Sequence, residues 1–178
     1  MPKLNPKKIV SLHSAILWWY QKNRRILQWR STRDPYEILV SEIMLQQTQV
    51  SRVQEKLPVF LKKFPTMRSL SRASTAAVIL AWRGMGYNNR AVRLRDLAKS
   101  VMKDYKGKLP AKTEELQMLP GIGPYTAHAL ACFAFRKQVP VVDVNIQRVF
   151  SRIFWKTTDP QKYRNSDEIW QLAEEILP

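Results

Sequence analysis

The stretch Leu119-Pro120-Gly121-Ile122-Gly123-Pro124-Tyr125-Thr126-Ala127 joins two segments of helical period, about 113–118 and 124–135. Two glycines around one apolar residue permit a tight turn with positive φ angles. Such a turn leaves N–H groups of the next helix unpaired and pointing outward, a site suited to an anion such as phosphate. Pro124 removes a donor that a helix would not use at that position. On spacing alone the same stretch reads equally well as an ordinary corner between helices.

Outward from this turn the chain continues in helical period. An opening helix is expected from about Pro6 to Lys22, with Leu12, Ile16 and Trp19 on one face. A second begins at Asp34, a natural N-cap, followed by Pro35 in the first helical position and Glu37 in a capping-box pattern. It runs through EILVSEIMLQQT to about Gln47. Further helical stretches cover roughly 50–63, 75–82, 88–106, 145–154 and 167–177, with Gly84 and Gly107 at C-terminal cap positions and Ser166 before the last helix. The only strand-like run, VPVVDV at 139–144, has no partner. The fold class is therefore all-α.

Charge narrows the partners. Lys and Arg number 30 against 14 Asp and Glu, a net charge of +16. The excess lies entirely in residues 1–110, which hold 22 basic and 6 acidic side chains; residues 111–178 hold 8 of each. Such a surface usually meets a polyanion, because cations near phosphates release condensed counterions. No apolar run reaches the roughly 18–20 residues of a membrane span, and no secretory signal pattern opens the chain. One cysteine, Cys132 in the run ALACFAF, allows neither an internal disulfide nor a thiolate-bound zinc or iron–sulfur site. It reads as a core residue of a protein from a reducing cytosol. His13 and His128 have no partner at ligand spacing and read as structural.

Two carboxylates stand out. On helix geometry Glu42 has Ile38, Leu39, Leu45 and Gln46 as neighbours three and four residues away, a mostly apolar face. A carboxyl placed there loses hydration and holds its proton more tightly, as a general acid must. The alternative is a helix glutamate that reaches solvent or pairs with an arginine. Asp143 precedes the stretch at 145–154 and suits an N-cap.

Several of these segments together resemble the helix-hairpin-helix DNA glycosylases, and most closely the adenine glycosylases of the MutY type. LPGIGPYTA is similar to that superfamily's hairpin, and Ser41-Glu42-Ile43-Met44-Leu45-Gln46-Gln47-Thr48-Gln49-Val50 to the catalytic helix of the MutY type. Val141-Val142-Asp143-Val144-Asn145 resembles the second catalytic segment, and Trp29-Arg30 and Gly84-Met85-Gly86-Tyr87 match further motifs in family order.

The resemblance implies a set of roles. Glu42 would protonate a ring nitrogen of an extruded adenine, and Asp143 would stabilise positive charge on the sugar. Tyr125 stands where the bifunctional glycosylase-lyases carry a Schiff-base lysine, which implies hydrolysis without strand cleavage. Trp29, Arg30 and Asn145 would border the base pocket. Leu45 and Gln47 would insert into the duplex beside the lesion, and Tyr87 would wedge beside the damaged guanine. Gly121 and Gly123 would shape the phosphate-gripping hairpin. The carbonyls of Gln117, Leu119 and Ile122 would be candidates for a monovalent cation. The implied partner is double-stranded DNA with a mispaired or oxidised base, bound by a monomer in the cytoplasm at the nucleoid.

The resemblance covers roughly residues 7–178 and also has departures. Val144 replaces the usual glycine between aspartate and asparagine, Gln28 the usual proline before Trp29, and Asn88 a common second tyrosine. The Asp-Val-Asn pattern leans towards relatives that remove thymine from T·G mispairs. Family members continue past Pro178 with a helix beside the base pocket, usually a four-cysteine iron–sulfur loop, and often a domain that reads 8-oxoguanine. The expected architecture is a helical barrel lobe at 31–137 containing the hairpin, with a second, shortened lobe built from 1–30 and 138–178. The expected cleft lies between them. Adenine removal opposite 8-oxoguanine or guanine is the first expectation; thymine removal from T·G mispairs and a catalytically silent DNA-binding remnant are the alternatives.

Overall fold

The computed structural model describes residues 5–157, 159 and 166–178. Among these residues every regular element is a helix, and there is no strand. Residues 139–143 form no regular element, because a lone extended run has no neighbour to share its backbone hydrogen bonds. The chain forms two compact units: Leu27–Lys137, and Met1–Ile26 together with Gln138–Pro178.

The larger unit holds α2 (Gln28–Ser31), α3 (Pro35–Leu45), α4 (Val50–Lys63), α5 (Met67–Arg72), α6 (Thr75–Ala81), α7 (Asn89–Asp104), α8 (Thr113–Gln117) and α9 (Pro124–Phe133). At its centre lies α3, packed against α2, α4, α7 and α9. The sequence PYEILVSEIML is apolar almost all round, and a helix of that kind must be enclosed on every side. Ile38, Leu39, Val40, Ile43 and Met44 are buried, each worth about 1.5–3 kcal/mol relative to exposure. Asp34 caps its start, its carboxylate accepting from the Tyr36 N–H at 2.7 Å and the Glu37 N–H at 3.3 Å. The helix stops at Leu45, two residues short of the expected end at Gln47. Gln46 has extended backbone and Gln47 adopts φ 53°.

Two short helices, α2 and α5, were not expected from the sequence. A reciprocal capping box starts α5: the Ser69 N–H donates to Thr66 Oγ1, and Thr66 N–H donates to Ser69 Oγ, both at 3.1 Å. Phe60 packs edge-on against both Phe64 and Trp82, tying α4 to the end of α6.

The smaller unit holds α1 (Pro6–Asn23), α10 (Val144–Phe154) and α11 (Asp167–Glu175). Its core is compact: Val142, Ile169 and Ala173, with Ile146, Phe150, Trp155 and Trp170 packed around them. Helix α1 buries no residue, and Ile16 and Trp19 are exposed rather than covered by a core. His13 Nε2 lies 2.7 Å from the Ile176 carbonyl, joining α1 to the end of α11. No helix among the described residues is long and apolar enough to cross a membrane.

Candidate active site

Glu42 is only 6% exposed, on the third turn of α3, a helix most of whose residues are buried. A helix buried on all sides gives its carboxyl little access to solvent. Ser41 beside it is also buried and donates to the Ile38 carbonyl at 2.8 Å, so the hydroxyl is satisfied within the helix.

Past Leu45, which is half-buried, the chain turns through Gln47 and presents that side chain outward. A non-glycine residue in the left-handed region costs about 1–2 kcal/mol, so this turn needs support from its surroundings. Tyr87 repeats the pattern with φ 47° and is 66% exposed. The two turns meet at Arg90, in the first turn of α7. Its guanidinium donates to the carbonyls of Ile43 (3.0 Å), Met44 (3.1 Å) and Gln46, to Thr48 Oγ1 (3.1 Å), and to the carbonyls of Met85 (2.8 Å) and Gly86 (3.2 Å). It also lies against the Trp82 and Tyr87 rings, 5.5 and 5.6 Å from their centroids. Burial draws the Arg90 pKa below its usual value, and the neighbouring Tyr87 acts the other way.

The hairpin forms between α8 and α9. Gly121 takes φ 83°, as expected. Gly123 does not: it is the N-cap of α9 with φ −93° and ψ 177°, extended backbone open to any residue, followed by Pro124 in the first helical position. The Ile122 N–H closes the turn on the Leu119 carbonyl at 3.2 Å, and Leu119 and Ile122 are both buried. Gly121, Gly123 and Gln117 are exposed. Arg93, one turn beyond Arg90, runs past the hairpin; a Cβ on Gly121 would stand 3.6 Å from its Cβ. Helix α7 thus carries one arginine to the two outward turns and a second to the hairpin. Neither arginine was singled out from the sequence. For Arg90 a signal existed, since a cation in the first turn of a helix opposes its macrodipole.

Tyr125, half-buried, begins α9 just after the hairpin. Trp29 is buried in α2 while its neighbour Arg30 is exposed. Asp143 and Asn145 belong to the smaller unit. Asp143 caps α10, with Oδ1 accepting from the Ile146 N–H at 2.7 Å. Its Oδ2 accepts from the Asn145 amide at 2.9 Å, and Asn145 Oδ1 accepts from Arg148 at 2.7 Å. This relay holds the half-buried carboxylate in one orientation. Cys132, in α9, is half-buried, and burial pushes its thiol pKa up. A four-thiolate iron–sulfur cluster does not fit these residues, which supply a single thiol.

Residues 40–175 match the HhH-GPD superfamily of base excision DNA repair proteins. The chain belongs to that superfamily. It is 46% identical over 158 residues to the adenine DNA glycosylase of Mycobacterium tuberculosis, a match covering 85% of this chain and 52% of that protein. It is 35% identical over 166 residues to the thymine/uracil-DNA glycosylase of Methanothermobacter thermautotrophicus, covering 93% of this chain and 75% of that protein. The structure of a thermostable thymine-DNA glycosylase superposes with a TM-score of 0.90 at 34% identity, covering 97% of this chain and 79% of that one. The chain spans about half the length of the mycobacterial adenine glycosylase it matches. Membership of the HhH-GPD superfamily accounts for the all-helical architecture and for the hairpin between α8 and α9.

Proposed function

We propose that the chain is a monofunctional DNA glycosylase that hydrolyses the N-glycosidic bond of adenine mispaired with 8-oxoguanine or guanine. The observation that carries this reading is the enclosure of Glu42 within α3, in a segment that resembles the catalytic helix of the MutY type. The identity to adenine glycosylases supports the choice of base.

In the proposed reaction Glu42 gives its proton to a ring nitrogen of the extruded adenine. The bond between the sugar C1′ and the base breaks, and its electron pair leaves with the now neutral base. Asp143 stabilises the positive charge that develops on the sugar. Water adds to C1′ and its proton returns to the Glu42 carboxylate, leaving an abasic site. Tyr125 would hydrogen-bond Glu42 or the attacking water. With tyrosine rather than lysine at 125 no Schiff base forms there. Trp29, Arg30 and Asn145 would border the base, and Leu45, Gln47 and Tyr87 would fill the vacated stack.

Phosphate binding falls to the hairpin, where the α9 N-terminus faces outward and the carbonyls of Gln117, Leu119 and Ile122 suit a hard monovalent cation. The protein would act as a monomer on double-stranded DNA at the nucleoid. With its surplus of cations, binding should weaken steeply as salt rises.

Removal of thymine opposite guanine is a second reading, favoured by the thymine/uracil glycosylase relative and by the Asp143-Val144-Asn145 pattern. Two duplexes separate the readings: adenine opposite 8-oxoguanine, and thymine opposite guanine, each incubated with the protein and then treated with alkali. Breakage at adenine is the expected result. Breakage at thymine alone would overturn the first reading in favour of the second. Binding without release in either duplex would leave a silent DNA-binding remnant. A protein–DNA adduct trapped by borohydride would contradict monofunctional hydrolysis.

A further inference from the structure

We infer that Arg90 is a positioning residue that locks the turn carrying Gln47 and the turn carrying Tyr87 into one rigid element. This rests on the reading of those two side chains as the ones that enter the duplex.

The last turn of any helix leaves carbonyls without intrahelical partners. At the end of α3 those of Ile43 and Met44, with the Gln46 carbonyl just beyond it, converge on the Arg90 guanidinium. Its positive charge also complements the negative end of the α3 dipole. The other terminal nitrogen holds Thr48 Oγ1, just past Gln47, and the Met85 and Gly86 carbonyls, just before Tyr87. Two nitrogens of one planar head therefore serve six acceptors from two separate segments. The price is visible at the third nitrogen, Nε, which is buried with no hydrogen-bond partner among the described residues.

Both turns need this support. Gln47 and Tyr87 each hold a left-handed backbone without being glycine, and each lies next to a residue that Arg90 grips. The Trp82 ring backs the guanidinium, and the Trp82 indole N–H donates to the same Gly86 carbonyl at 3.1 Å. Tyr87 itself stacks on the guanidinium while remaining largely exposed. A lysine would keep the charge but lose the planar fork, and one ammonium could not span both turns.

The test is Arg90→Lys, with three readouts against the wild type. These are the single-turnover rate of base release, affinity for undamaged duplex, and the fluorescence rise of 2-aminopurine placed beside the target base, which reports unstacking. The expected result is a rate lower by about 10- to 100-fold, as misplaced groups cost, with undamaged-duplex affinity within about threefold. The fluorescence rise should shrink in parallel. In a background carrying Gln47→Ala and Tyr87→Ala the same substitution should cost less than about threefold, because its route to the DNA is gone. An equal loss in both backgrounds, or no loss in either, would overturn the inference. If Arg90→Lys does not fold, Thr48→Val removes one acceptor and should act in the same direction with smaller size; a rate and fluorescence unchanged by it would be equally fatal. Should the wild type release no base from any duplex, the enzymatic reading fails and the fluorescence judges Arg90 alone: a reduced rise supports its role and an unchanged rise refutes it.

Discussion

Glu42 sits in a helix that buries eight of its eleven residues, whereas Asp143 stands at the start of a helix that buries only Gln147 and Ser151. The first carboxyl owes its surroundings to tertiary packing, since four neighbouring helices close over α3 and limit its access to water. The second owes its orientation to local hydrogen bonds from Ile146 and Asn145, all within three residues of chain. The contrast teaches that one chemical group can be placed by two different means, packing from afar or hydrogen bonds from close neighbours.

The largest expected effect breaks the comparison on its buried side. Glu42→Gln should lower base release by about a thousandfold or more, within the range ascribed to general acids, while duplex affinity is kept. Single-turnover excision and a binding titration check it, and retained activity would remove Glu42 from the chemistry. Next comes Asp143→Asn, which separates cap from charge. Asparagine caps a helix about as well as aspartate, so the thermal midpoint should hardly move, while the rate falls about 100-fold. Asp143→Ala should add about 1 kcal/mol of lost stability, readable by denaturant titration.

A smaller effect concerns the hairpin. Gly121→Ala places a Cβ at φ 83° and should cost about 1 kcal/mol in stability, together with weaker duplex binding. Gly123→Ala, on extended backbone with nothing near its Cβ, should leave stability almost unchanged. Equal effects from the two would contradict the division of labour between these glycines.

A change confined to stability lies at the other end of α3, where the Tyr36 hydroxyl is buried and donates to the Phe64 carbonyl at 2.6 Å. Burial, with the Asp34 charge adding to it, pushes the Tyr36 phenol well above its ordinary 10.0. The unfolded chain therefore gives up this proton above pH 10.0 while the folded chain keeps it. The contribution is whole below that pH and is lost as pH rises towards the folded value. Tyr36→Phe should cost about 1 kcal/mol at neutral pH and flatten the decline in alkali, as measured by denaturant midpoints.

Much of this was legible because it is local. The Asp34-Pro35 start of α3, the positive φ of Gly121 and the cap at Asp143 each follow from residues within one turn of chain. The start of α5 was legible in principle, since Thr66 and Ser69 have capping-box spacing, but serine in the third position replaced the usual Glu or Gln. The end of α3 was not legible. Periodicity carries on through Gln46 and Gln47, yet the helix ends at Leu45, and an arginine more than forty positions away takes the carbonyls of Ile43, Met44 and Gln46. Likewise the periodic apolar face of α1 suggested burial, yet no residue of that helix is buried. Periodicity states which side chains prefer cover and not whether another element supplies it.

The sequence by itself determined the helical class, the superfamily and the set of chemically able residues, because turns, caps and short motifs depend on neighbours along the chain. Only the tertiary structure decided that Glu42 is closed off and that one guanidinium grips both outward turns. Burial and charge pairing are properties of what surrounds a residue in space, and for these residues the surroundings come from distant parts of the chain.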